Sequence, residues 1–140
     1  MQSLASPFNP HFPNLGEPTL HWRGLYGSAG GLTIAQAATH DSPLVIVVTR
    51  DNRRLQLLHS ELQFYRSGRN APPLARLLDW ECLPYDLFSP HQDITSERLR
   101  TLAKIPTMCH GLLLVTLETA MQRLPPKSHT LGQTFSLACG

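Results

Sequence analysis

At 140 residues, 41% hydrophobic and 16% charged, the chain is long enough for one core of ordinary size and too short for two complete domains. Its formal net charge of +2 is too small to act as a steering field, and no run of basic residues exists to track a phosphate backbone. Cys82, Cys109 and Cys139 are odd in number and widely spaced, which fits reduced thiols and a cytoplasmic setting, while no apolar run or basic leader points to a membrane or to export.

Residues 1–20 read as a proline-rich tail, since Pro7, Pro10, Pro13 and Pro18 resist any regular hydrogen-bonded element. Gly24, Gly27, Gly30 and Gly31 then predict a turn leading into a closely packed helix through Leu32, Ile34, Ala35 and Ala38, ending near Asp41. The run Leu44-Val45-Ile46-Val47-Val48 is continuous and mostly β-branched, the pattern of a strand covered on both faces in a parallel sheet. Asp51 can cap the next helix, in which Leu55, Leu58, Leu62 and Tyr65 recur at helical spacing, with Gly68 as a left-handed stop.

A second strand is expected over residues 75–78 and a third at Leu112-Leu113-Leu114-Val115. Between them the spacing predicts a helix over residues 95–105, with Leu99 and Leu102 facing inward, Asp93 or Thr95 as cap, and Pro106 at its end. Its Glu97, Arg98, Arg100 and Lys104 read as a solvated polar face. Thr116 can cap a last short helix through Ala120 and Leu124, stopped by Pro125-Pro126. Alternating strands and helices predict an α/β layer structure with parallel pairing and right-handed crossovers. Beyond it, Thr134, Phe135, Ser136 and Leu137 suggest a strand without a completing turn, an ending that reads as a truncation.

Residues 79–98 are unusually rich in turn-formers, aromatics and carboxylates for a connector. They run Asp79, Trp80, Glu81, Cys82, Leu83, Pro84, Tyr85, Asp86, Leu87, Phe88, Ser89, Pro90, His91, Gln92, Asp93, Ile94, Thr95, Ser96, Glu97 and Arg98, with Leu99 next. This stretch resembles the amino-terminal module of the bacterial transcription-repair coupling factors, whose pattern reads DWE-x-LPYD-x-FSPHQDI followed by S-x-RL. The resemblance continues through Leu102, Pro106, Gly111, Gln122 and Arg123 to Gly132; it is looser over residues 24–64 and absent from the first twenty residues. So long a contiguous match is more specific than a spaced signature.

The resemblance implies a partial RecA-like fold, similar to the P-loop-bearing domain of the excision-repair protein UvrB and interrupted by a smaller UvrA-binding domain. On that basis residues 21–126 form the first part of the α/β domain and residues 127–140 open the smaller one, so that the UvrA surface lies mostly beyond Gly140. It also implies that the intact parent engages RNA polymerase and double-stranded DNA and uses ATP and magnesium, activities not expected of residues 1–140 alone.

A P-loop needs G-x-x-x-x-G-K-[ST], in which the lysine neutralises phosphate and the hydroxyl holds magnesium. Here Gly24, Gly27, Ser28, Gly30, Gly31 and Thr33 are present without a lysine, so the loop reads as a degenerate remnant serving as a tight turn. An acidic pair following an apolar strand is also missing. The histidines are scattered, and no cysteine has a partner at metal-ligand spacing. His91 reads as a hydrogen-bonded loop residue, and Asp79, Glu81, Asp86 and Asp93 as caps and surface partners. Trp80, Tyr85 and Phe88 read as apolar groups sealing the sheet end. The sequence therefore predicts a non-catalytic scaffold with no cofactor of its own. Two rivals are a UvrB-type NTPase fragment that still binds nucleotide and a self-sufficient small interaction protein.

Overall fold

In the computed structural model, which describes residues 8–12, 16–17, 19–39, 44–66, 71–80 and 91–126, the deepest element is the strand β3 (Gly111–Thr116), all six of whose residues are buried. A strand buried on both faces must be apolar at consecutive positions, and Leu112, Leu113, Leu114 and Val115 meet that demand. β1 (Leu44–Thr49) pairs with it on one side, in parallel, with Leu44 opposite Gly111 and Thr49 opposite Thr116. β2 (Leu74–Leu77) pairs on the other side, also in parallel, from Leu74 opposite Leu112 to Leu77 opposite Val115. The order is β1-β3-β2, so the expected α/β parallel architecture is observed, consistent with part of a RecA-like, UvrB-like fold.

Strand alternation divides the core into two layers. On one face Leu112 and Leu114, with Val45, Val47 and Leu74, meet α1 (Ala29–Thr39) through Ala35 and Ala38 and α2 (Asn52–Tyr65) through Leu55, Leu58 and Leu62. On the other face Leu113, Val115, Leu77 and Ala75 meet Leu102 of α3 (Gln92–Lys104) and Ile105 of the 3-10 turn Ile105–Thr107. Burying each of the fully enclosed leucines stabilises the fold by about 1.5–3 kcal/mol. α4 (Leu117–Met121) follows β3 directly.

Helix ends follow local side-chain chemistry. Asp51 caps α2 as expected, its Oδ1 accepting from the Arg54 N–H at 2.8 Å. Thr116 caps α4, its Oγ1 accepting from the Thr119 N–H at 3.2 Å. α2 ends at Tyr65, with the Arg66 N–H donating to the Leu62 carbonyl; Gly68, the expected stop, lies outside the described residues, as do the expected strand at residues 134–137 and the boundary at residues 127–140.

Several expectations are corrected. Ile46 and Val48 are 57% and 51% exposed, because α3 lies over β2 and β3, so β1 is not covered on both faces. Leu99 is 48% exposed while Arg98, Thr101 and Leu102 are buried; α3 is rotated about its axis from the expected phase, and Arg98 is no member of a solvated face. His91, rather than Asp93 or Thr95, caps α3, its Nδ1 accepting from the Asp93 N–H at 3.3 Å. α4 stops at Met121, short of Leu124, because Gln122 is already extended at φ −71° and ψ 145°.

The Pro73 carbonyl faces β3, accepting from the Leu112 N–H at 2.8 Å. The carbonyls out of step with it, at Pro72, Arg76 and Leu78, face away, and each accepts from a side chain: Arg66, Thr101 at 2.9 Å and Arg98, respectively. Unpaired strand edges invite association, and side-chain donors occupy these three positions of this one.

Gly111 stands where β3 meets this segment, at φ +110°, and a Cβ there would collide with the Pro73 carbonyl and lie 3.0 Å from Pro73 Cγ. Gly111→Ala is therefore expected to destabilise the chain by about 1–3 kcal/mol in denaturant unfolding. The Asp51 carboxyl is held below the usual carboxylate range by the Arg54 N–H and then by Arg50. Its lowered folded pKa means that its contribution is present above the unfolded value and is lost as pH falls through the folded one. Thermal melts of Asp51→Asn should accordingly vary less with pH below about pH 4 than those of the unsubstituted chain.

Candidate functional site

The glycine-rich segment forms a turn and the first part of α1. Gly24 and Gly27 adopt left-handed backbone, at φ 74° and 57°, which glycine enters without steric penalty. The Ala29 N–H donates to the Tyr26 carbonyl and the Leu32 N–H to that of Ser28, each at 3.1 Å. Gly30 and Gly31 are already helical, so the expected turn is shorter than the glycine spacing suggests.

The polar groups of this segment are engaged within the fold. The Thr33 side chain is buried and its Oγ1 donates to the Ala29 carbonyl at 2.9 Å, back along its own helix. Ser28 Oγ shares a hydrogen bond of 2.7 Å with the Tyr65 hydroxyl. A Cβ on Gly31 would lie 2.5 Å from Glu61 Oε2, so this glycine lets α1 and α2 pack closely. Glu61 is largely buried, and its Oε2 has no hydrogen-bond partner. Leu32 follows Gly31, at the position where a working phosphate loop carries lysine. A negative carboxylate thus stands beside the first turn where a phosphate site supplies positive charge. Arg54 approaches Gly30 but lies 4.0 Å from Glu61.

A second cluster gathers residues far apart in sequence. Arg98, on α3, is 2% exposed. Its guanidinium lies over the Trp80 ring, 4.6 Å from the centroid, donates to the Leu78 carbonyl, and donates through Nη2 to Gln122 Oε1 at 2.9 Å. Gln122 completes the link by donating from Nε2 to Asp79 Oδ1 at 2.8 Å. Burial pushes the guanidinium pKa down and the charge of Asp79 opposes that; arginine nonetheless remains protonated at neutral pH. The cation is enclosed by a carbonyl, an amide oxygen and an aromatic face, with a carboxylate one link away. The arrangement ties the end of β2, the middle of α3 and the segment after α4 into one unit. It contains no nucleophile paired with a base.

The other motif residues are dispersed. Glu81, Leu83, Pro84, Tyr85, Asp86, Phe88, Ser89 and Pro90 lie outside the described residues. His91 is exposed and lies 3.4 Å from the Asp93 carboxylate, itself 92% exposed. Gln92, Ser96, Leu99 and Arg123 are exposed, and Ile94 is half-buried. No group of three or more histidine, cysteine or carboxylate side chains able to hold a metal occurs among the described residues.

A further polar group at the β2 edge was not foreseen from the residues. Arg76 donates from Nε and Nη2 to the two Glu97 carboxylate oxygens at 2.7 and 3.0 Å, and from Nη1 to Gln56 Oε1 at 3.0 Å. The one available signal was an arginine within a short strand that is otherwise apolar.

No family model matches the chain. It is 38% identical over 116 residues to the transcription-repair-coupling factor of Escherichia coli (strain K12), a match covering 83% of this chain and 10% of that protein. It is 34% identical over 125 residues to the protein of the same name in Haemophilus influenzae, covering 87% of this chain and 10% of the relative. With that of Rickettsia prowazekii it shares 33% identity over 84 residues, 59% of this chain and 7% of the relative. The chain thus spans about a tenth of the length of the first two relatives.

Removing Arg98 leaves the Leu78 carbonyl and the Gln122 amide without their donor. Arg98→Met is expected to reduce the free energy of unfolding by about 2–4 kcal/mol. Arg98→Lys should restore little of it, since an ammonium cannot span the two acceptors while lying flat on Trp80; urea titrations of both variants measure the difference.

Proposed function

Because the chain is homologous to a segment of the transcription-repair-coupling factors about a tenth of their length, we propose that it is the first part of a UvrB-like module with a structural rather than catalytic role. In this reading it serves transcription-coupled nucleotide excision repair in the cytoplasm, as a scaffold and regulatory surface that helps bring UvrA to the damage. Residues 127–140 open the domain that contacts UvrA, most of which lies beyond Gly140. RNA polymerase, double-stranded DNA, ATP and magnesium are engaged by the remainder of the intact protein. No helix among the described residues is long and apolar enough to cross a membrane.

The observation that supports a non-catalytic role is the state of the first turn of α1. The Thr33 hydroxyl is turned onto its own helix, Leu32 stands where a lysine would meet phosphate, and Glu61 packs against Gly31. A nucleotide phosphate entering there would face a carboxylate, and its magnesium ion would have to reach a threonine hydroxyl that is out of contact with solvent.

Arg54 favours a second reading, in which the chain is a fragment of a UvrB-type NTPase that retains nucleotide binding. It lies beside Gly30, within 4.0 Å of Glu61, and could supply the absent positive charge. Titration with a fluorescent ATP analogue and magnesium separates the two. The expected result is no saturable signal. Saturable, magnesium-dependent binding that is abolished by Arg54→Ala would establish the second reading and defeat the first.

A further inference from the structure

Along the outer edge of β2 runs a half-open groove of about 650 Å³. Pro73, Leu74, Ala75 and Arg76 line it consecutively; alternate strand residues point to opposite faces, so four in a row are met only along a strand's edge. α2 forms one wall with His59 and Gln63, and α3 forms the other with Arg100 and Lys104, while Met108 adds an apolar patch.

The electrostatics of this groove are uneven. The charge of Arg76 is matched by Glu97, in a bidentate pair that Gln56 also holds. His59 is kept toward its neutral form by burial and by neighbouring Arg76. Arg100 and Lys104, by contrast, are exposed on one wall with no carboxylate in salt-bridge reach among the described residues. Four residues apart on a helix, they are separated by about 6 Å along its axis, close to the spacing of about 6.6 Å between side chains on one side of an extended peptide.

We propose that this groove is a docking site for an extended acidic protein segment, its alternate carboxylates meeting Arg100 and Lys104 and an apolar residue resting on Leu74, Pro73 and Met108. Extended backbone pairing along β2 is disfavoured, because three of the outward carbonyls on and beside the strand, at Pro72, Arg76 and Leu78, already accept side-chain donors. Single-stranded nucleic acid is the poorer match: it is held on aromatic stacking platforms, and among the described residues the groove presents no tryptophan, tyrosine or phenylalanine.

The test is fluorescence polarisation with the 140-residue chain and a short labelled peptide carrying glutamate at alternate positions around a central leucine. A glutamine-for-glutamate version and an oligothymidine serve as comparisons. The glutamate peptide should bind saturably, and Arg100→Glu combined with Lys104→Glu should weaken it by about tenfold or more. Arg100→Gln should give a smaller loss, and thermal melts of both variants should match the parent because the two side chains are exposed. Absence of saturable binding, binding indifferent to the charge reversal, equal affinity for the glutamine peptide, or tighter binding of the oligothymidine would each overturn the proposal.

Discussion

The structure depends on the burial of β3. A strand with all six residues out of water needs a hydrogen-bonded neighbour along each edge and a packed layer over each face, since neither its peptide groups nor its leucines can be left to solvent. The parallel pairing with β1 and β2 meets the first requirement, and each neighbour must then be reached by a crossover. The crossovers supply α2 and α3: α2, joined by α1 from before β1, covers one face and α3 the other. Gly111 is where these demands meet, because the strand can enter the ladder only by passing close to the Pro73 carbonyl.

The two outer strands carry different consequences. At and beside β2 the outward carbonyls at Pro72, Arg76 and Leu78 are bonded to Arg66, Thr101 and Arg98, so that edge is partly occupied from within this chain. β1 instead leaves Ile46 and Val48 more than half exposed. Two of the three donors at the β2 edge lie on α3, and one of them, Arg98, also holds Gln122 and the Trp80 face. A single buried guanidinium therefore joins edge protection to the packing of α3 and of the segment after α4. Buried charge is tolerated where acceptors and an aromatic face converge on it, here on both Nη atoms while Nε is left without a partner, which gives a physical reason for Asp79, Trp80, Arg98 and Gln122 to occur together.

The glycine segment shows how a loop pattern can persist with its polar groups redirected. Gly24 and Gly27 serve backbone geometry, whereas Gly31 serves contact with Glu61. Thr33 and Ser28 engage Ala29 and Tyr65. The bond between Ser28 and Tyr65 and the contact between Gly31 and Glu61 consolidate the start of α1 against α2, and the latter places a carboxylate beside the helix start, where the helix dipole favours negative charge.

Much of this was legible in the residues. The β-branched run at β1, the leucine run at β3, the stripe of Leu55, Leu58 and Leu62, and the caps at Asp51 and Thr116 depend on local periodicity and on hydrogen bonds spanning a few residues, and local chemistry is what a sequence states directly. The motif beginning at Asp79 was legible as a pattern, although its meaning as a contact network was not. Which side of α3 meets the sheet was decided by tertiary structure: Leu102 belongs to either stripe, and Arg98 could be buried only because Leu78, Gln122 and Trp80 converge on it. The same holds for the pairing of Arg76 with Glu97, for the carboxylate against Gly31 and for the exposed face of β1. Helical spacing fixes which residues share a face, whereas the partners that make burying a charge favourable, or leave an apolar side chain uncovered, come from segments tens of residues away that only the folded chain brings together.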